Sequence, residues 1–430
     1  MPDVMMEIIE RLAPLDRVFC SDGNDKAIKI LNEYLAFKPI KYLPENEFNG
    51  WTISPCWNVN RAVITDENGN VLLDGTKNVL SVIALSRAFS GRISVGELKK
   101  HLHYDHRNDD AIPYHSRQMY RCWDRDWGFC VTKRFYDSLN GTDYIVEIET
   151  DERPGDLQIL EYTKRGEFDL TYYILAHLDH RGMANDDLSG CAVGIELMRR
   201  LSSIKTKLTY KLLLVPEIIG SEYYLHYTQS SKEQRALEGI FLESLGTDTP
   251  LGLQLSLNKN SATEMILQDI MSERGLSYRT TGCGEIITND EYVWEVYGIP
   301  MPSLTRHPFP EYHSSLDNIS IISSSALEES VAIMTDFATK FDREKFIFKN
   351  FTGNICLSNP KYDLYIDDSQ EAFGESLDDH AHKMRKLIGM IPLLHRPVSV
   401  LSLGRICGLK MVEVEECLER WHKKGLLQTQ

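Results

Sequence analysis

The sequence predicts an α/β fold: a mixed, mainly parallel sheet covered by helices, with a β-rich domain inserted near its start and a small helical domain at its end. Three observations predict it. From residue 172 to about 340, short apolar runs alternate with amphipathic stretches, the pattern of a largely parallel core sheet. Between residue 51 and about 149 the chain is instead aromatic-rich and broken by turn signals such as Asp66-Glu67-Asn68-Gly69 and Ser138-Leu139-Asn140-Gly141. After Phe348 the pattern changes again, and 383–430 reads as largely helical.

Each element follows from its own residues. Two helices open the chain, over 6–12 and 26–35, the second with Ile28, Ile30, Leu31 and Leu35 at helical spacing. The inserted segment is expected to be mostly strand, with some helix near 79–87 and 95–102. In the core, the apolar run 172–176 precedes a helix over 189–204, where Val193, Leu197 and Leu201 step by four. Further runs at 212–215, 240–242 and 253–257 alternate with helices at 222–228 and 262–274, and 323–340 closes the core. These changes place the core in 1–45 and 150–345, the insert in 46–149, and a linker with a terminal domain in 346–430.

Composition narrows the function. With 42% hydrophobic residues among 430, a substantial core can be buried. A net charge of −16 disfavours nucleic acid or anionic lipid as a partner. Nine cysteines without a C-x-x-C pair read as reduced thiols, and hence as a cytoplasmic protein. Residues 1–20 carry acids and no apolar stretch of signal-peptide type, and no run approaches the ~18 apolar residues of a membrane span.

Acids and histidines sit just after the apolar runs of the core. His177 and Asp179 follow the first, Asp186 and Asp187 precede the next helix, Glu217 follows 212–215, Glu243 follows 240–242, and His313 lies in a loop after 301–304. Sites in open α/β sheets form beyond the carboxyl ends of the strands, so these side chains are expected to converge. Imidazoles and carboxylates are ligands that Zn2+ accepts. Each has a plainer reading: an aspartate before a helix is usually its N-cap, and the glutamates alone could be surface acids. The joint pattern favours the metal.

The runs Ala176-His177-Leu178-Asp179 and Ala184-Asn185-Asp186-Asp187-Leu188-Ser189-Gly190 resemble the dizinc aminopeptidases, over about residues 172–340. The resemblance implies a zinc-exopeptidase-like core holding one or two Zn2+. It assigns His177, Asp186, Glu243 and His313 (in His313-Ser314-Ser315-Leu316-Asp317) as metal ligands, with Asp186 bridging, and gives Asp179 the task of fixing the His177 tautomer through the far ring nitrogen. That family shows a glutamate pair, E-E-x-G-x-x-G-S, the first a general base and the second a ligand. Here Val215-Pro216-Glu217-Ile218-Ile219-Gly220-Ser221 keeps one glutamate. Base and ligand both stay open for Glu217, and the alignment favours the ligand. Arg306, His307 and Tyr312 flank the last ligand loop and are expected to line the substrate pocket. The implied activity is aminopeptidase-type hydrolysis of an amide bond in a small peptide or a surface-glycan precursor; the alternative is a metal-binding module of little or no activity.

Across the whole chain, Asn49-Gly50-Trp51-Thr52, Cys56-Trp57-Asn58-Val59, Ala111-Ile112-Pro113-Tyr114 and Trp127-Gly128-Phe129-Cys130 are similar to bacterial aminopeptidase-like proteins associated with surface-polysaccharide biosynthesis. Those combine a β-rich insert, a zinc-peptidase-like core and a C-terminal winged helix. In this chain 400–406, Gly408 and 412–423 have helix-turn-helix grammar, but the second helix carries Glu413, Glu415, Glu416 and Glu419. Acids facing phosphates are repelled, so this domain is expected to contact a protein or a second copy rather than DNA. Four remaining features have plain readings. The histidines of His101-Leu102-His103-Tyr104-Asp105-His106 are expected to be solvated, Trp123, Trp127 and Phe129 to fill the insert's core, the glycines around Cys283 to bind no nucleotide, and Cys283 to be inert unless a histidine lies nearby.

Overall fold

In the computed structural model, which describes residues 3–228, 235–366 and 379–430, the chain opens with the two expected helices. Helix α1 (Val4–Leu12) starts on Asp3, whose carboxylate accepts from the Met5 and Met6 N–H groups, and buries Ile8, Ile9 and Leu12. Helix α2 (Asp22–Leu31) begins earlier than the apolar spacing suggests, because Ser21 caps it at Asn24. Strand β1 (Lys38–Tyr42) then forms an edge of the core sheet.

The insert contributes β2 (Cys56–Thr65), β3 (Val71–Asp74), β4 (Phe89–Ser94), a one-turn helix α3 (Val95–Leu98), the two-residue parallel pair β5 (Leu102–His103) and β6 (Phe129–Cys130), α4 (Lys133–Ser138) and β7 (Asp143–Arg153). Four of these strands make an antiparallel sheet in the order β3-β2-β7-β4. The helix expected over 79–87 shrinks to a 3-10 turn, Val79–Ser81, because Val82 bridges to Phe129 and the Ile83 N–H bonds the Gly128 carbonyl. Phe129 is buried and Trp127 stacks between Phe89 and His101, as expected of core aromatics. Trp123 departs from that expectation: it is 63% exposed. The three patch histidines meet different neighbours, His101 the Trp127 ring, His103 the His115 ring and His106 the Tyr104 ring.

The core follows as β8 (Leu157–Lys164), β9 (Leu170–His177), α5 (Leu188–Ser202), β10 (Thr209–Val215), α6 (Ile219–Thr228), β11 (Arg235–Glu243), β12 (Gly252–Gln254), α7 (Ala262–Glu273), β13 (Arg279–Thr281), α8 (Asp290–Val296), β14 (Ser303–Thr305) and α9 (Ser324–Phe341). The sheet order is β1-β8-β10-β9-β11-β14-β12-β13. Its centre, β10-β9-β11-β14, is parallel; β1-β8, β8-β10 and β14-β12 pair antiparallel, and the last pair, β12-β13, is parallel. This is the mixed, mainly parallel α/β sheet expected from the sequence.

β9 is buried along its whole length, so its side chains alternate between two cores. Tyr172, Ile174 and Ala176 join the cluster formed with α1, α5, α7 and α9. Tyr173 and Leu175 join a second cluster that includes Trp57 and Val146 of the insert and Tyr223 and Trp294 of the core.

The terminal region contains β15 (Phe346–Lys349), α10 (Asp379–Met390), β16 (Val398–Ser399), α11 (Val400–Cys407), α12 (Met411–Lys423) and β17 (Leu427–Thr429) around its own apolar cluster. Gly408 ends α11 at φ +66°, the left-handed cap that glycine adopts freely. A three-stranded antiparallel sheet, β16-β15-β17, accompanies the helices of this region, which the sequence reads as largely helical. Part of the expected linker, 367–378, lies outside the described residues.

The structure corrects the cysteine reading: Cys20 and Cys56 are joined as a disulfide. The Trp57 N–H bonds the Cys20 carbonyl, which brings the two residues side by side. Among the described residues no helix is long and apolar enough to cross a membrane.

Gly190, in the first turn of α5, has no room for a side chain: an added Cβ would lie 2.3 Å from the Leu242 carbonyl oxygen and 2.4 Å from Asp187 Oδ1. Gly190→Ala is expected to cost roughly 3 kcal/mol in urea unfolding, at the upper end for overpacking, because rigid backbone blocks the relief.

Candidate metal centre

The parallel strands β9, β10 and β11 end at His177, Val215 and Glu243, so the loops after them meet at one edge of the sheet. Three backbone features aim those loops. Ile218, Ser244 and His313 all adopt positive φ, at 59°, 53° and 56°. Such conformations cost of order 1–3 kcal/mol each for non-glycine residues and persist only where surrounding contacts impose them.

Those contacts come from buried charges. The Asp317 carboxylate accepts from the backbone N–H groups of Ala184 (3.1 Å), Asn185 (2.6 Å) and Asp186 (3.0 Å), tying the His313 loop to the Asp186 loop. Arg17 is fully buried and donates to the carbonyls of Leu178, His180 and Met183. Asp187 caps α5 at Gly190 and also accepts from the N–H groups of His177 and Ser244, the helix-start role its position suggested. Asn185 and Ser189 hold the loop after β11 through the Gly246 and Leu245 N–H groups.

At the centre of this frame lies Asp186, about 1% exposed, with imidazoles on both of its oxygens. Its Oδ1 is 2.9 Å from His177 Nε2; its Oδ2 is 3.1 Å from His313 Nε2 and 3.6 Å from His180 Nε2. Burial works against ionisation of Asp186, but His180, His177 and His313 hold it well below the usual carboxylate range. Burial carries His180 well below the ordinary imidazole value, so it is a neutral donor. Burial opposes protonation of His177, yet Asp186 and Asp290 raise it well above that value.

The sequence-derived candidates fall into three groups. His177, Asp186 and His313 come together as expected. Glu243 is buried beside them; Asn289 Nδ2 donates to its Oε1 at 3.3 Å, its Oε2 has no hydrogen-bond partner among the described residues, and burial pushes it well above the usual carboxylate range. Glu217 stands at the rim, its Oε2 accepting from the Tyr120 hydroxyl at 2.6 Å and lying 3.9 Å from His180 Nε2.

Two expectations are corrected. Asp179 does not meet the far nitrogen of His177. It accepts the Glu217 N–H at 2.7 Å and sits 3.9 Å from His180 Nδ1, while Asp290 Oδ2 faces His177 Nδ1 at 3.7 Å. Burial and the neighbouring Glu217 carboxylate push Asp179 up to about 7. Arg306 does not face a pocket: it is buried, bonded to the Thr249 carbonyl at 2.7 Å and ion-paired with Glu329. His307 and Tyr312 do border the centre, Tyr312 stacking on the His313 ring and His307 packing edge-on against Tyr312.

The structure adds residues that the sequence reading passed over. His180 and Asp290 are the main ones, with Tyr114, whose ring lies 5.1 Å from His180 and 5.3 Å from His313. His180 follows directly on the His177-Leu178-Asp179 triplet and was visible as a third ligand-capable residue in that string. Tyr114 and Tyr120 come from the insert, 56 and 50 residues before the start of β9, and carry no local signal.

The donor set fits a divalent cation of zinc type. Nitrogen and oxygen ligands of zinc lie at about 2.0–2.2 Å, so tetrahedral neighbours stand roughly 3.4 Å apart. The Asp186 oxygens meet the three imidazoles at 2.9–3.6 Å. His177, His180 and Asp186 form one group of ligand atoms within 4.8 Å of one another, and Asp179, His180 and Glu217 form another. Asp186 Oδ2 and His313 Nε2 face each other, yet both lack a hydrogen-bond partner among the described residues.

A family profile described as a domain of unknown function (DUF4910) matches residues 6–344. A Clostridium acetobutylicum protein, whose description pairs polysaccharide biosynthesis with an aminopeptidase-like domain, is 27% identical over 327 residues, 75% of this chain and 74% of its own. A crystal structure of a candidate peptidase from Clostridium acetobutylicum superposes at TM-score 0.74 with 22% identity, covering 99% of this chain and 96% of the other. BSAP, a zinc aminopeptidase from Bacillus subtilis, superposes at TM-score 0.59 with 14% identity, covering 79% of this chain and 94% of the other. These likenesses show that the chain has the fold of the zinc aminopeptidases.

Asp317→Asn keeps the shape of the loop clamp and removes its charge. It is expected to lower stability by roughly 2–3 kcal/mol, the scale of charge-assisted hydrogen bonds to buried backbone, and to reduce bound zinc. Urea unfolding together with elemental analysis checks both; an unchanged midpoint and unchanged zinc would show that the clamp is dispensable.

Proposed function

We propose that this chain, which belongs to the DUF4910 family, is a zinc-dependent hydrolase of aminopeptidase type that cleaves an amide bond. The observation that carries this reading is the Asp186 carboxylate, placed with one oxygen toward His177 and the other toward His180 and His313. That is the arrangement of a group shared between two cations.

His177, Asp186 Oδ1 and Glu243 would hold one ion. Asp186 Oδ2, His180 and His313 would hold the second. In this assignment His180 takes the place left by the absent second glutamate, and the second ion keeps three protein ligands and an open position, the usual pattern of a catalytic zinc site. When bound, the ions would polarise the scissile carbonyl and lower the pKa of water toward ~7.

The remaining steps fall to the chain's own groups. Glu217 is the carboxylate of the cluster that reaches solvent, with 16% of its side chain exposed against 1–2% for Asp179 and Asp186. We therefore give it the proton: it receives one from the attacking water and returns it to the leaving nitrogen. Tyr120 donates to Glu217 Oε2 and fixes its direction, and Asp179 fixes its backbone N–H. Asp290 orients the far side of the His177 ring. Tyr114, Tyr312 and His307 form the walls against which the substrate is held. The relative's link to polysaccharide biosynthesis makes an N-acylated amino sugar the first substrate to try beside an aminoacyl amide.

The terminal α11–Gly408–α12 segment with β15, β16 and β17 reads as a winged helix used for protein contact. The acids of α12 leave no face suited to phosphates.

The two roles of Glu217 separate experimentally. Glu217→Gln is expected to keep its zinc and lose about 10²–10⁴-fold in turnover, as removal of a general base does. His180→Ala is expected to lose about half of the zinc bound by the natural protein. Elemental analysis alongside hydrolysis of an aminoacyl-anilide and an N-acetylated amino sugar reads both; zinc loss in Glu217→Gln with full retention in His180→Ala would exchange the roles.

A further inference from the structure

Two adjoining cavities lie at the far end of the sheet from the metal centre. One, of about 640 Å3, is lined by Arg235, Phe348, Lys349, His395 and Arg396 with Asn350. The other, of about 460 Å3, shares Arg235, His395 and Arg396. Neither lining contains an aspartate or glutamate, although the chain carries 63 acidic residues against 47 basic ones. Cations gathered without acids are therefore a local departure from the charge of the whole.

Their partners are few. The Arg235 guanidinium lies over the Phe348 ring, 4.8 Å from its centre. Arg396 donates from Nη1 to the Leu237 carbonyl at 2.8 Å, and Lys349 donates to the Pro392 carbonyl. Among the described residues no carboxylate lies within 4.0 Å of any of the three charged groups. Arg396 is half-buried, so its charge is partly desolvated, and Glu238 and Glu295 oppose that loss from within the fold.

We propose that this cleft is a binding site for a diphosphate-bearing ligand. Arg235 and Lys349 meet no carboxylate among the described residues, while Glu238 and Glu295 act on Arg396 from within the fold, so the cleft calls for more than one negative charge. A diphosphate supplies that charge and enough oxygens for two planar guanidinium forks. A nucleoside diphosphate and inorganic pyrophosphate share this chemistry. Arg235 and Glu243 are the first and last residues of β11, so the cleft lies roughly 25 Å from the metal centre and forms a separate site. Arg235 belongs to the core and Lys349, His395 and Arg396 to the terminal region, so the ligand would join the two.

The experiment is isothermal titration of the full, zinc-loaded chain with ADP and, separately, with pyrophosphate, at two salt concentrations. Both probes are expected to bind the natural protein, more weakly at high salt. Arg235→Gln and Lys349→Gln, which alter side chains near the surface, are each expected to weaken binding roughly tenfold. ADP binding well above pyrophosphate would assign the site to nucleoside diphosphates; equal binding would assign it to the diphosphate alone. Absence of binding by either probe at millimolar concentration would overturn the proposal. So would undiminished binding in the Arg235→Gln/Lys349→Gln double variant, which would place the phosphates at the zinc instead.

Discussion

The structure depends on one electrostatic constraint: the Asp186 carboxylate is ionised where water does not reach it. Burying an uncompensated charge is costly, so the group persists only because three imidazoles surround it and because its position is fixed from behind. Every nearby loop serves that end. Asp317 grips the backbone of Ala184, Asn185 and Asp186, and Arg17 gathers the carbonyls of the preceding turn, so the loop after β9 is held by one carboxyl group and one guanidinium from distant parts of the chain.

The same logic explains the glycine and the caps of the following helix. Asp187 uses both of its oxygens, one toward Gly190 and Ser244 and the other toward His177. The start of α5 is thereby pressed against the end of β11, a fit that leaves Gly190 without space for a methyl group. The Asn185-Asp186-Asp187-Leu188-Ser189-Gly190 string is thus one device with two tasks. Asp186 faces the three imidazoles, while Asn185, Asp187 and Ser189 sew the neighbouring loops together.

This division explains what was legible in the sequence. Alternating apolar runs and helices marked the core because β9 and β10 are buried on both faces and therefore read as continuous apolar stretches. His177, Asp186 and His313 were legible because they sit in the turns that follow those stretches. The edge strands β1 and β13 were not, since solvent on one side erases the apolar run. Arg306 looked like a pocket residue by its place beside His307, but one step along a strand end turns a side chain to the other side, where Glu329 takes it. Asp290 was invisible because it lies at the first turn of α8, far from any ligand string, and reaches His177 only through the fold.

The insert is where local reasoning fails most, and its role follows from contacts alone. Ile112 and Ser315 exchange two hydrogen bonds, the Tyr114 N–H bonds the His313 carbonyl, and Arg107 bonds the Tyr312 carbonyl at 2.9 Å. The positive φ of His313 is therefore held from both sides, by these insert contacts and by the Asp317 clamp of the core. Tyr120 adds the hydroxyl that fixes Glu217. Trp57 and Val146 bury themselves in the same cluster as Tyr173 and Leu175 of β9, so the insert shares its core with the sheet it covers. A segment that both completes the ligand loop and borrows its stability from β9 cannot drift relative to the metal centre without unfolding part of it. Tyr114, Tyr120 and the histidine cluster are consequently set by one packing arrangement, so the shape of the candidate site is a property of the insert as much as of the strands that carry the histidines.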